Sequence, residues 1–246
     1  MRRPLDPNEL RKLPRLLRAL AWRLPLEFGE LLGKLSYKPI DRCLDKDKLI
    51  EHVSERGEAI QETAVTTGQR KILFSAVANT EKMPEAIAEI GAWRGITTAA
   101  LAGRTIRRVY AVDPHKENEF PGINEAFEVF RKRISPFSNV VYIRRSSGEA
   151  AKELLRTPLS LIFVDAIHDY INTWFDFRVW GSLLVPGGII LFHDVDDHAG
   201  TNLACRRMLR QKNYQIWGYC PNLVALKKVA EAQPAKNIST KLTGDR

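Results

Sequence analysis

Cysteine is scarce in this chain: Cys43, Cys205 and Cys220 are the only three among 246 residues. Odd in number and widely spaced, they exclude a disulfide framework and a C-x-x-C metal or redox site, and a reducing cytosol is the expected compartment. Long apolar runs are missing too. Pro4, Asp6 and Glu9 follow Met1-Arg2-Arg3 at once, and Arg18, Arg23 and Glu27 break up the next apolar stretches. Neither a secretory leader nor the ~20 apolar residues of a membrane span is expected from such a pattern. Two phosphate-binding signatures are also absent. A dinucleotide site needs G-x-G-x-x-G and a P-loop needs G-x-x-x-x-G-K before Ser or Thr, and neither occurs. No internal repeat or low-complexity tract is evident.

What remains is a chain with 44% apolar residues, enough for one large domain with a substantial core. Its net charge of +9 is unevenly placed. Residues 1–40 hold nine Lys or Arg against four Asp or Glu, residues 227–246 hold five against two, and the intervening body is left at +1. The high pI therefore belongs to the ends, which read as solvated extensions and argue against a nucleic-acid partner. Leu10, Leu13, Leu17, Leu20 and Leu24 recur every three or four residues among Arg11, Lys12, Arg15, Arg18 and Arg23. This spacing predicts an amphipathic cationic helix, interrupted near Pro14 and Pro25. Two placements suit it: on an anionic membrane surface, which would put the protein at the inner face of the membrane, or with its leucines and Trp22 packed on the main domain or on a second copy of the chain in a homodimer. The last dozen residues look frayed.

Between residues 86 and 228 apolar runs alternate with helical patterns. Strands are predicted at 86–91, 107–113, 139–144, 160–165, 188–193, 214–219 and 222–227, the last two as a hairpin across Cys220-Pro221. The alternation predicts an α/β doubly wound, mostly parallel, seven-stranded sheet. Three segments follow: a basic helical N-terminal extension (1–64), the main domain (65–228) and a basic flexible tail (229–246).

The stretch AEIGAWRGITT, residues 88–98, followed by VYAVD ending at Asp113, carries the most chemistry. It reads as a strand, a turn bracketed by Gly91 and Gly95 where backbone comes close to a ligand, a helix opened by Thr97 and Thr98, and a second strand tipped by a carboxylate. Asp113 stands 18 residues after Gly95, where an acidic side chain can accept both hydroxyl hydrogens of a ribose. Glu89 precedes Gly91 by two residues, so a negative charge sits where a phosphate would be repelled. A cation is the better guest, and S-adenosylmethionine, with a sulfonium, an ammonium and no phosphate, matches. Further along, one strand ends in Asp165 and another in His193-Asp194. In an open parallel sheet ligands sit beyond the carboxyl ends of strands, so Asp113, Asp165, His193 and Asp194 converge on one rim.

EIGAWRG, AVDPH, FVDAIHDY and WGSLLVPGGIILFHD, in this order and spacing, resemble the class I S-adenosylmethionine-dependent methyltransferases with their Rossmann-like fold. Within them the match is closest to methyltransferase family 24, related to macrolide-sugar and catechol-type O-methyltransferases, and it covers about residues 65–228. The resemblance implies that Glu89, Gly91, Trp93, Gly95 and Thr97 surround the methionine end, that Asp113 takes the ribose, and that Ser147 lies near adenine. It departs from many relatives at Ser146, where they carry an acidic residue. It also implies a Mg²⁺ site at Asp165, His193 and Asp194. The two aspartates suit Mg²⁺; His193 suits a transition metal better, or orients Asp194. His168, three residues after Asp165, stands where catechol-type relatives carry a catalytic lysine, which makes it the candidate general base. His115 and His198 read as surface residues, Tyr170 and Asp176 as packing or capping residues, and Gly187-Gly188 as a tight turn before the fifth strand.

The expected activity is methyl transfer to a hydroxyl of a sugar, glycan or small natural product, with Asp165 and His168 in the catalytic set. Oxygen is favoured because the amino-methyltransferase signature, Asn or Asp followed by Pro-Pro and an aromatic, is replaced by Asp165-Ala166-Ile167-His168. A base-acting RNA methyltransferase and a non-catalytic protein that binds the cofactor or docks on membranes are the rival readings.

Overall fold

The structure, a computed structural model, describes residues 15–116 and 123–229, with the backbone alone for 15–23 and 123–124. The beginning of the predicted cationic helix, including Leu10, Leu13 and Pro14, lies outside the described residues, as does nearly all of the C-terminal tail. In chain order the elements are α1 (Arg15–Leu35), β1 (Glu51–His52), α2 (Thr67–Asn79), β2 (Ala86–Ile90), α3 (Ile96–Ala102), β3 (Val109–Val112) and α4 (Ile123–Ile134). Then follow β4 (Val140–Ile143), α5 (Ser147–Glu153), β5 (Leu159–Val164), α6 (Tyr170–Leu183), β6 (Leu184–His193), α7 (Ala199–Met208), β7 (Tyr214–Cys220) and β8 (Leu223–Lys228).

They build an eight-stranded sheet ordered β1-β7-β8-β6-β5-β2-β3-β4. Every neighbouring pair is parallel except those that β8 makes with β6 and β7, so the predicted hairpin is present and supplies the antiparallel strand. The eighth strand is β1, two residues paired with Gly218 and Tyr219; it is too short to show a period in sequence. Because both faces of the sheet are covered by helices, β5 and most of β6 are continuously buried. The strand order reverses between β2 and β5, both of which bond to each other while their outer neighbours lead in opposite directions. That switch point opens the crevice in which an α/β sheet binds its ligand.

Two local expectations are corrected. First, α1 runs unbroken through Pro25. A proline there removes one helical hydrogen bond, but the helix is anchored beyond it, with Gly29 against Tyr170 and Gly33 against the Ala199 carbonyl. Second, β6 begins at Leu184, and Gly187-Gly188 forms an irregularity within it where the pairing to β5 skips from Leu184 to Ile189. Of the predicted leucine stripe only Leu24 has a described side chain, and it continues into an exposed apolar row. Leu24, Phe28, Leu31 and Leu35 are 58%, 61%, 52% and 76% exposed, and the glycine face docks instead.

Candidate active site

Three strand ends and one turn build the site. After β2, Gly91 turns back with φ 92°, and a Cβ there would stand 1.9 Å from the Asp165 carbonyl oxygen, so only glycine lets β2 and β5 close at this point. Gly95 has another duty. Its missing Cβ would strike Phe130 of α4, so the residue lets the turn pack on that helix beside the crevice lined by Arg94 and Ile96.

Asp113 ends β3 and is held from below. Its Oδ2 accepts from the Trp93 amide and its Oδ1 from the His115 amide, both at 2.9 Å, leaving the remaining lone pairs for a ligand. His115 is no surface residue. It is buried, with Nδ1 2.7 Å from the Tyr142 hydroxyl and Nε2 2.7 Å from the Trp93 carbonyl, and it packs between Phe127 and Phe130. The histidine thus ties the Trp93 turn to Asp113, a long-range role invisible in the local pattern.

Glu89 lies in the middle of the crevice floor at 2% exposure and accepts a hydrogen bond from Thr98. Burial pushes its carboxyl up to about 8 against the pull of that hydrogen bond, and Asp165 and Asp113 push the same way. In the free protein it is therefore the neutral acid at pH 7. The negative charge expected of Glu89 is latent, to be drawn out by a neighbouring cation.

On the far side, Ser147 opens α5 behind the Ser146–Glu149 capping box, which accounts for the serine that replaces an acid at Ser146. Ser147 donates to Asp176, and the Trp180 indole donates to Ser147 Oγ at 2.8 Å. Asp176 is buried, and that burial lifts its carboxyl to about 7 although Ser147 holds it down. It lines the crevice with Ser147. Its position seven residues into the helix after Asp169, on the same face as the first turn, was the available signal. Tyr170 does pack, receiving α1 at Gly29 and a hydrogen bond from Arg207.

These groups enclose one cavity of about 1150 Å³ lined by Glu89, Gly91, Trp93, Thr97, Asp113, Ser147, Asp165 and His168, among others. His168 enters it from the loop after β5. Its ring stacks on exposed His198 with centroids 4.6 Å apart, and its Nε2 faces Asp194 Oδ2 at 3.4 Å. Burial outweighs the Asp194 and Asp165 carboxylates and holds this imidazole below its ordinary value, so it is neutral at pH 7. A proton on Nε2, toward Asp194, leaves Nδ1 as the basic nitrogen.

His193 and Asp194 stand behind Asp165 and do not line the cavity. His193 Nδ1 is 3.2 Å from Asp165 Oδ1 and 3.3 Å from Asp194 Oδ1. Its Nε2 is 3.1 Å from Gln69 Oε1. The orientation of that amide is determined: Gln69 Nε2 donates to the Pro221 carbonyl, and Gln69 Oε1 accepts from the Thr66 amide. Nε2 of His193 must then carry hydrogen, and Nδ1 points at both carboxylates. Burial works against a charge there, but the two carboxylates prevail and raise His193 above its ordinary value. Asp194 is lowered to about 2; burial opposes this, and the His193 hydrogen bond, the two histidines and Asn222 overcome it. The same arrangement fits a divalent ion: the three donor atoms lie within 4.8 Å of one another, and a ligand histidine whose other nitrogen donates to an amide oxygen is correctly braced. Mixed nitrogen and oxygen donors suit a borderline transition metal better than Mg²⁺. His168 and His198 also stand near Asp194, but their nearly parallel rings aim lone pairs side by side.

Residues 88–195 match the model of a methyltransferase domain, family 24. Over that segment, somewhat under half of the chain, the sequence is similar to a methyltransferase domain. Solved structures with the same fold include the O-methyltransferase NovP, at TM-score 0.55 and 15% identity, covering 82% of this chain and all of that one. Another is the O-methyltransferase from Bacillus cereus in complex with SAH, at TM-score 0.53 and 19% identity, covering 68% of this chain and 84% of that one. An rRNA methylase from Streptococcus thermophilus gives TM-score 0.50 at 16% identity, covering 70% of this chain and all of that one. Among curated proteins, the uncharacterized protein y4gI of Sinorhizobium fredii is 24% identical over 153 residues. The alignment takes in 58% of this chain but only 15% of that much longer relative. The matched segment runs from β2 through the end of β6, so it contains Glu89, Asp113, Asp165, His168, His193 and Asp194.

Proposed function

We propose that the chain is an S-adenosylmethionine-dependent O-methyltransferase whose acceptor is a hydroxyl of a sugar, a glycan or a small natural product. One observation carries the reading: a neutral imidazole, His168, shares a cavity of about 1150 Å³ with the carboxyl groups of Asp113 and Glu89. That volume exceeds the ~300–1,000 Å³ of ordinary ligand pockets and leaves room for an acceptor beside the cofactor. Bound S-adenosylmethionine supplies an electrophilic methyl on a sulfonium. The protein does the rest. Asp113 receives the ribose hydroxyls, Glu89 and Asp165 place carboxyl groups toward the cationic end, and Ser147 with Asp176 edges the adenine side. His168 Nδ1 takes the acceptor hydroxyl proton as the oxygen attacks, a contribution of ~10²–10⁴ in rate. Aligning acceptor and methyl group supplies a further ~7–11 kcal/mol. Asp165, His193 and Asp194 would hold a divalent ion, which would supply Lewis-acid chemistry behind the Asp165 edge of the cavity.

The test is transfer of radiolabelled methyl from S-adenosylmethionine to hydroxylated sugars, glycans and phenols, with RNA as the competing acceptor. Alkali-stable label on a hydroxyl compound, lost in His168→Gln, is the expected result. Label confined to RNA bases would replace this reading with the rival one.

A further inference from the structure

We infer that α1 is a membrane-docking element that lies along an anionic lipid surface. The orientation of the helix is set from the opposite side. Gly29 sits against Tyr170 at the start of α6 and Gly33 against the Ala199 carbonyl at the start of α7. Between them Glu30 places a buried carboxylate oxygen, without a hydrogen-bond partner among the described residues, against Gly200. Beyond the helix, Tyr37 donates to the Asp196 carbonyl and the Ile40 amide to Asp196 Oδ1, fixing the exit of the chain. A helix held by this face cannot bury its other one. Leu24, Phe28, Leu31 and Leu35, at i, i+4, i+7 and i+11, make an outward apolar stripe, each more than half exposed.

Charge selects the occupant. Residues 1–40 carry nine basic against four acidic side chains while the body of the protein is close to neutral. Beside the stripe, among the side chains described, stand exposed Lys34 and Glu27, so the surplus of basic residues lies toward the start of the segment. An apolar seam within a segment of net positive charge complements anionic headgroups above acyl chains. A second copy of the segment would bring its net positive charge against the same sign. At 21 residues the helix extends over ~30 Å, a long contact for a surface-lying segment. Among the described residues no helix is long and apolar enough to cross a membrane. Because α1 rests on the starts of α6 and α7, which follow the strands ending at Asp165 and His193, docking brings the rim of the active site beside the lipid surface.

The experiment is flotation of the full chain with vesicles of phosphatidylcholine alone and of phosphatidylcholine mixed with phosphatidylglycerol, at low and high salt, together with light scattering without lipid. The wild type is expected to float with the anionic vesicles only, less at high salt, and Phe28→Glu/Leu31→Glu to bind at least ~10-fold more weakly. Leu35→Glu, at the most exposed position, repeats the test should the double variant melt early by circular dichroism. Absence of flotation, equal binding by variants and wild type, or a lipid-free dimer that the variants dissociate in a chain that ignores vesicles would each overturn the inference.

Discussion

Replacing Glu89 with glutamine removes one proton-binding group from the crevice and little else, since the amide keeps the shape and an oxygen for Thr98. In the free protein burial raises this carboxyl from 4.5 to about 8. At 1.36 kcal/mol per pKa unit, ionising it there costs about 5 kcal/mol more than in water. An opposite charge within ~4–6 Å favours the ionised form, so the cationic methionine end should expel the proton. At about pH 6.5, where the ligand's own amino group stays charged, binding should release close to one proton. Affinity should then improve by up to ~10-fold per pH unit from about pH 6 to 8 and level off above. Calorimetric titration in two buffers of different ionisation heat counts that proton directly. Glu89→Gln should release none and should bind with no slope over this window. Stability carries the same signature with opposite sense. A raised carboxyl stabilises fully below its unfolded value near 4.5, and the contribution is lost as pH rises through about 8. Melting of the wild type should therefore fall by a few kcal/mol across that window while Glu89→Gln stays flatter. Equal proton release by the two proteins would refute the reasoning.

Asp113→Ala should weaken S-adenosylmethionine binding by ~10²–10⁴, because two hydrogen bonds to a charged group are lost at ~1.5–3 kcal/mol each; equilibrium dialysis measures it. His168→Gln should cut kcat by ~10²–10⁴ with little change in cofactor affinity. The wild-type rate should rise with pH and reach its plateau below the ordinary histidine value, because burial lowers His168 and the neutral form is the base. Gly91→Ala should cost about 3 kcal/mol or more, ~6–12 °C in Tm, since its methyl would meet the Asp165 carbonyl at a φ of 92°. Gln69→Leu should lower Mn²⁺ or Zn²⁺ affinity ~10–100-fold in a direct titration, by freeing the ring that Gln69 braces.

Much of this site is legible in one dimension. Asp113, Asp165 and His193-Asp194 each end an apolar run, and a parallel sheet delivers all such ends to one rim. Gly91 announces a turn for the same reason that it is needed: no side chain fits against β5. What escapes the sequence is set by distance or by the opposite face. Gln69 reaches His193 across 124 residues, and His115 is buried by Phe127, Phe130 and Tyr142 from another helix and strand. The charge of Glu89 reads as fixed in sequence, but complete burial makes it conditional. The leucine stripe of α1 has the period of a core-facing helix, yet Gly29 and Gly33, small enough for backbone contact, decide which face docks. Pro25 reads as a break because tertiary anchoring on both α6 and α7 lies beyond any local rule.

A crystal structure with S-adenosylhomocysteine tests the central claim most directly. The nucleoside is expected in the crevice between β2 and β5, with both ribose hydroxyls on the Asp113 carboxylate, adenine toward Ser147 and Asp176, and sulfur facing the space beside His168. A nucleoside seated elsewhere, or an Asp113 that touches only Trp93 and His115 in the complex, would contradict it.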